Sequence, residues 1–181
     1  MISRVAFLSF LISLSFIAYA QPPSADSVLK EAMQTASKEN KNIFIIFHAS
    51  WCGWCMRMDS SMNDESCKKF FEDNYVIRHL VVLESKDKKQ LESPGGEAML
   101  ARYNGKDSGI PFWLVFDKNG NLLADSKYKS APDDPGRNSG CPAREGEVVY
   151  FISVLKKTAT LSDLQMKAIE KRFRQNDIQH D

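Results

Sequence analysis

Ile43-Phe44-Ile45-Ile46-Phe47-His48-Ala49-Ser50-Trp51-Cys52-Gly53-Trp54-Cys55 joins an apolar run to two cysteines separated by two residues. Residues 43–47 are β-branched or aromatic throughout. A strand with one wet face alternates, so an unbroken run reads as a strand buried on both faces of an α/β sheet. The cysteines follow where this strand gives way to a helix over about 55–62. A helix N-terminus presents unpaired N–H groups and the positive end of its dipole, and both favour a thiolate at Cys52. A turn and the first helical residues bring the two sulfurs within disulfide reach. Gly53 permits close approach of another backbone, and Cys55, one turn in, is expected to be the more buried thiol.

The flanking segments fit an α/β domain. Ser24 or Asp26 can cap a helix to about Glu39, whose Val28, Ala32 and Ala36 recur on one face. Asp64 can cap a second short helix through Phe71, and Val76–Leu83 reads as another buried strand. Glu84–Glu92 is charged and is expected to be a solvated connection; its Lys86–Lys89 cluster is interrupted by Asp87. Ser93-Pro94 is expected to open a helix to about Tyr103, with Pro at the first position. Ile110-Pro111 precedes a third apolar run, Phe112–Phe116. Lys118-Asn119-Gly120-Asn121 is a hairpin turn, because Asn-Gly supplies the required positive φ, and Leu122–Ala124 returns antiparallel. Residues 126–143 read as a long loop, either a flap near the cysteines or a plain connection. Helices are expected at about 144–157 and 162–175. The order places parallel βαβ first and an antiparallel hairpin last. Phe70, Phe71, Phe112, Trp113 and Phe116 fit core faces.

Composition sets the limits. The chain has 181 residues, 43% of them hydrophobic, with 24 Lys+Arg, 23 Asp+Glu and four cysteines. That length fits one domain, or one domain with an appendage, and the apolar share excludes disorder as the main state. A net charge of +1 gives no electrostatic reason to bind nucleic acid. Arg4, the apolar stretch Val5–Ala18 and Ala18-Tyr19-Ala20 form a basic, an apolar and a cleavage region, so residues 1–20 read as a signal peptide cut after Ala20. The stretch is short for a membrane span, and no stable insertion is expected after cleavage. An exported chain, periplasmic or secreted, meets a space where disulfides persist.

Two bland readings of the Cys pair carry less. A zinc site would need further ligands from Cys67, Cys141, His48, His79 and His180, none of them in a second C-x-x-C or H-x-x-x-H. A purely structural bridge over so short a loop removes little chain entropy. Neither a metal nor a cofactor is expected. Cys67 and Cys141 remain as either a second bridge, tying the long loop to the core, or two buried free thiols.

Ala49-Ser50-Trp51-Cys52-Gly53-Trp54-Cys55 after an apolar strand, with Ile110-Pro111 before a later strand, resembles the thioredoxin superfamily. The likeness covers about residues 25–127. It looks closest to exported members with a W-C-x-W-C site and a P-G-G-E segment, here Pro94-Gly95-Gly96-Glu97. It implies a three-layer fold, a central mixed sheet with helices on both faces, to which the C-terminal helices would add an extension. Residues 21–127 would form the core, and 128–181 would complete the same domain. The resemblance makes Cys52 the nucleophile and Cys55 the resolving thiol of a redox disulfide. Pro111 would be cis, and Ile110 would pair with substrate as an added strand. Trp51, Gly53 and Trp54 would complete the substrate surface.

The chain departs from thioredoxin in two places. Gly-Trp replaces Gly-Pro between the cysteines, and Ile46 stands where thioredoxin has a buried acid that takes a proton from the resolving thiol. His48, four residues before Cys52, and Glu84 are weaker candidates for tuning the pair. No cation lies between the cysteines to hold a thiolate, and Ile before the proline resembles reducing members. The expected activity is therefore reduction or isomerisation of disulfides in other exported proteins, fed by a membrane-bound electron donor. A binding or chaperone module with incidental redox activity is the alternative. A thiol peroxidase is disfavoured, since no P-x-x-x-[ST]-x-x-C precedes Cys52.

Overall fold

The computed structural model describes residues 21–129, 131 and 133–177. The signal peptide read over 1–20, and His180, lie outside these residues. Helix α1 (Ala25–Glu39) starts where Ser24 Oγ accepts the Ser27 N–H, and ends at Asn40 in the left-handed region. Strand β1 (Asn42–His48) pairs parallel with β2 (Tyr75–Val81) and antiparallel with β3 (Phe112–Phe116). Strand β4 (Leu122–Asp125) pairs antiparallel with β3, giving the order β2-β1-β3-β4. Helices α2 (Gly53–Met62) and α3 (Lys68–Asn74) join β1 to β2, and α4 (Gly96–Arg102) precedes β3. The β3–β4 turn forms as read: Gly120 takes φ 85°, and the Asp117 carboxylate accepts the Asn119 and Asn121 N–H groups.

The unbroken run in β1 has the cause anticipated for it. Ile43, Ile45 and Phe47 face Ala25, Val28, Ala32 and Ala36 of α1 and Met99 and Leu100 of α4. Phe44 and Ile46 face the other way, into a core with Met58 and Met62 of α2, Phe71 of α3, and Val148, Phe151, Ile169 and Phe173. The last four come from α5 (Glu145–Thr158) and α6 (Asp163–Arg174). Both sheet faces are therefore covered by helices, as a thioredoxin-like three-layer fold requires.

Three expectations need correction. Pro94 does not open α4; it lies before a left-handed Gly95 cap, and its carbonyl accepts the Ala25 N–H. The 84–92 segment is not simply solvated. It contains a 3-10 turn at Lys86–Leu91, and Glu84 at its start is buried. The 126–143 segment carries a small sheet of β5 (Lys127–Tyr128) and β6 (Arg137–Asn138). Ser126 Oγ there accepts the Trp113 N–H, and Gly140 O accepts the Trp113 indole N–H, so this segment is bolted to β3. Among the described residues no helix is long and apolar enough to cross a membrane.

Candidate active site

Cys52 is the N-cap of α2, and its backbone is extended as it leaves β1. Its Sγ accepts the Cys55 N–H at 3.1 Å, and its carbonyl accepts the Met56 N–H. The helix thus directs a first-turn N–H and the positive end of its dipole at this sulfur, which favours negative charge there. Cys52 and Cys55 are joined as a disulfide. Both are buried, at 3% and 1% exposure, so the expected difference between them is slight in the oxidised state.

Opposite the pair lies Ile110-Pro111, whose peptide bond is cis. Ile110 O stands 3.6 Å from Cys52 Sγ, and the Ile110 side chain packs on Ala49, Cys52 and Cys55. Asn138 of β6 holds this loop from behind. Its Nδ2 donates to Ser108 O, Gly109 O and Pro111 O at 3.1, 3.1 and 2.9 Å. A groove of about 480 Å³ runs from Trp54 past Pro111 to Gly140 and Arg144. Residues 138–143 therefore wall a groove shared with Trp54 and Ile110-Pro111, rather than forming a remote connection. A larger cleft of about 640 Å³, between Asn40 and Thr160, has a polar lining and lies at the other end of β1.

The loop before Cys52 has its own clamp. Glu84 accepts the Ser50 N–H at 2.6 Å and the Ser50 hydroxyl at 2.9 Å, while the Trp51 indole donates to Leu83 O at 2.9 Å. The backbone bond from Ser50 is the main cause that holds the Glu84 carboxyl below its usual range, with help from Lys88 and His48. Glu84 is thus kept ionised on Ser50, which lies two residues before Cys52. Trp51 and Trp54 stay 57% and 43% exposed, and Arg57 lies over the Trp54 ring at 4.7 Å. Two apolar rings at the mouth of a disulfide offer a contact surface to another chain.

A model of the thioredoxin-like family matches residues 25–118, more than half of the chain. The chain belongs to that family. Its fold is also similar to a disulphide isomerase from Xylella fastidiosa Temecula1, with a TM-score of 0.50 and 16% identity over 91% of this chain and 98% of that one. Weaker likenesses are to a DsbH oxidoreductase (TM-score 0.45, 20% identity, 83% and 95% covered) and to the oxidised C-terminal domain of Neisseria meningitidis DsbD (0.39, 23%, 57% and 84%). No curated protein sequence matches the chain. With a Cys52–Cys55 pair in a thioredoxin-like fold, the protein is a thiol–disulfide oxidoreductase.

The remaining cysteines resolve the choice left open between a bridge and free thiols. Cys67 and Cys141 are free and buried. Cys67 Sγ donates to Ser61 O, and Cys141 Sγ accepts from Asn176 Nδ2. Burial raises both thiols, Cys141 to about 12, so neither forms a thiolate readily at neutral pH. Glu84 is a fixed acceptor rather than a mobile acid. The His48 ring lies 5.0 Å from that of His79, whose Nε2 lies 2.8 Å from Asp59 Oδ1. Sequence reading missed Asp59, Asn138 and Asn176, and named His79 only as a candidate zinc ligand. Their spacing carries no motif; only the fold brings them to the site.

Proposed function

We propose that this thioredoxin-like oxidoreductase is exported, to a periplasm or outside the cell, and reduces or isomerises disulfides in other exported proteins. The observation that carries the reading is Cys52 Sγ, capping α2 beside the Ile110 carbonyl and next to an open groove. Cys52 attacks a substrate sulfur, and Cys55 then displaces the reduced substrate by closing the Cys52–Cys55 bond. Trp51, Gly53 and Trp54 form the contact surface, and the substrate backbone lies along Ile110-Pro111. Export is supported by the leader pattern of residues 1–20. A reductase in an oxidising space draws electrons from a membrane-bound donor. Residues 21–177 act as one domain, a reading supported by the core that α5 and α6 share with the sheet.

The reducing direction is supported by Glu84. A carboxylate kept ionised on Ser50, in the loop that leads into Cys52, disfavours the thiolate, and so favours the disulfide over the dithiol. The test is the equilibrium potential of the pair in thiol–disulfide buffers, read by alkylation and intact mass. A value near that of thioredoxin, about −270 mV, fits a reductase, and about −180 mV fits an isomerase. A value near about −120 mV rejects both for an oxidant. Cys52→Ser abolishes turnover of a protein disulfide, and Cys55→Ser accumulates mixed disulfides. Wild-type turnover by Cys52→Ser rejects the mechanism.

A further inference from the structure

The reaction above has a proton to place. Cys55 must lose its proton before it can attack the Cys52–substrate bond, and Ile46 cannot accept one. Side chains along β1 alternate, so Ile46 and His48 share the face that meets α2. The contacts of His48 agree with that placement: its ring meets His79 of β2, and His79 meets Asp59 of α2. Asp59 follows Cys55 by four residues, one helical turn. At the other end, His48 adjoins Ala49, which packs on both active-site cysteines. A line of groups, His48–His79–Asp59, therefore lies on the sheet face that meets α2, reaching the helix one turn after Cys55 and ending next to Ala49.

The electrostatics suit a base. The charged groups facing His48 are His79 from β2, Asp59 from α2 and Glu84 from the segment after β2. Burial and the neighbouring His79 lower the His48 pKa, so the ring is neutral at pH 7 and free to accept a proton. Asp59 and Glu84 oppose that shift, and so stabilise the cation once it forms. A carboxylate only accepts, so the bond to Asp59 orients His79 with Nε2–H towards it.

We infer that His48 takes the Cys55 proton during resolution, directly or through one water, and that His79 and Asp59 position and polarise it. The inference rests on the thiol-exchange reading of the pair. Starting from the mixed disulfide, the Cys55 S–H proton passes to the His48 imidazole. The Cys55 thiolate then attacks Cys52 Sγ. The Cys52–substrate S–S bond breaks as the Cys52–Cys55 bond forms, and the leaving substrate thiolate is protonated by the His48 cation. The substrate disulfide gains the two electrons the dithiol loses.

Reduced protein mixed with oxidised glutathione, acid-quenched and weighed intact, separates formation of the Cys52–glutathione adduct from its release. His48→Gln is expected to form the adduct at the wild-type rate and to release it roughly tenfold or more slowly at pH 7. Wild-type release falls as pH drops through an inflection below the usual histidine range, and His48→Gln lacks that inflection. Unchanged release, or slower release with the wild-type inflection retained, overturns the inference. Normal adduct formation also reports that the variant is folded. If it is not, Asp59→Asn, at a half-buried position of α2, serves instead. Loss of that anion moves the inflection to lower pH, and an unmoved inflection overturns the inference. Wild-type protein that neither forms an adduct nor oxidises would reject the exchange reading itself.

Discussion

The two faces of the sheet are filled by different side chains from different parts of the chain. Towards α1 and α4 the sheet meets small residues, Ala25, Ala32 and Ala36, from within the segment that matches the family model. Towards α2 the core is aromatic. Phe44 touches Tyr75 at 5.6 Å, Trp113 at 5.5 Å and Phe151 at 6.4 Å between ring centroids, and Phe151 meets Phe173 at 4.9 Å. Phe151 and Phe173 lie beyond the family segment. That segment covers this face only with α2 and α3, and α5 and α6 complete it, so the C-terminal helices support the redox helix as well as the fold.

Truncating one residue on each face gives the largest test of this asymmetry. Phe151→Ala removes a fully buried ring that bridges Phe44, Phe71, Trp113 and Phe173. It should cost about 3–5 kcal/mol, transfer and cavity terms together. Val28→Ala on the opposite face should cost about 1.5 kcal/mol, from two buried carbons. Urea unfolding midpoints of both variants measure the difference. A larger loss for Val28→Ala would mean that the family segment is stable without the C-terminal helices.

This division also explains what could be read from the sequence. The β1 run, the Cys52–Cys55 placement, Ile110-Pro111 and the Asn119-Gly120 turn are legible because their meaning lies in a few adjacent residues. Glu84 stands out as a candidate for tuning the pair, but its clamp on Ser50 does not, since that partner is 34 positions away. Asn138 and Asn176 are single amides without pattern, and act across 27 to 115 positions. The start of α4 was misread because Pro94 has a tertiary task, accepting the Ala25 N–H, which local preference does not encode.

Two anchors sharpen the comparison at the site itself. From the C-terminal side, Asn176 is buried and bonds Ser61 of α2, Cys141 and Pro142 O, while its own carbonyl accepts from Arg57. Asn176→Ala should cost about 1–3 kcal/mol, because buried polar groups lose their partner. Chemical denaturation measures it, and a neutral result would detach the C-terminus from α2. From the family side, Glu84→Gln keeps the acceptor oxygen for Ser50 but removes the charge. The pair should become more oxidising by on the order of 10–20 mV, a few-fold in its equilibrium constant. A shift in the reducing direction would contradict the sign argued for this carboxylate.

The smallest effect concerns the surface link between α6 and the turn before α3. Arg172 Nε donates to Asp64 Oδ2 at 2.8 Å, and the Ser66 hydroxyl and N–H bond the other carboxylate oxygen. The Ser66 hydroxyl is the leading cause that lowers the Asp64 carboxyl to about 2, with the Ser66 N–H and Arg172 following. A carboxyl lowered on folding adds stability that is complete above its unfolded value, near about 3.9. That stability drains as pH falls towards the folded value. Because the group is solvent-exposed, screening keeps the contribution small. Comparing Asp64→Asn with wild type by thermal unfolding should therefore give a modest deficit at pH 7 that closes between about pH 4 and pH 2. A deficit that persists unchanged at pH 2 would assign the role of Asp64 to turn geometry through Ser66, and would leave Phe173 and Asn176 as the contacts that hold α6 to the redox face.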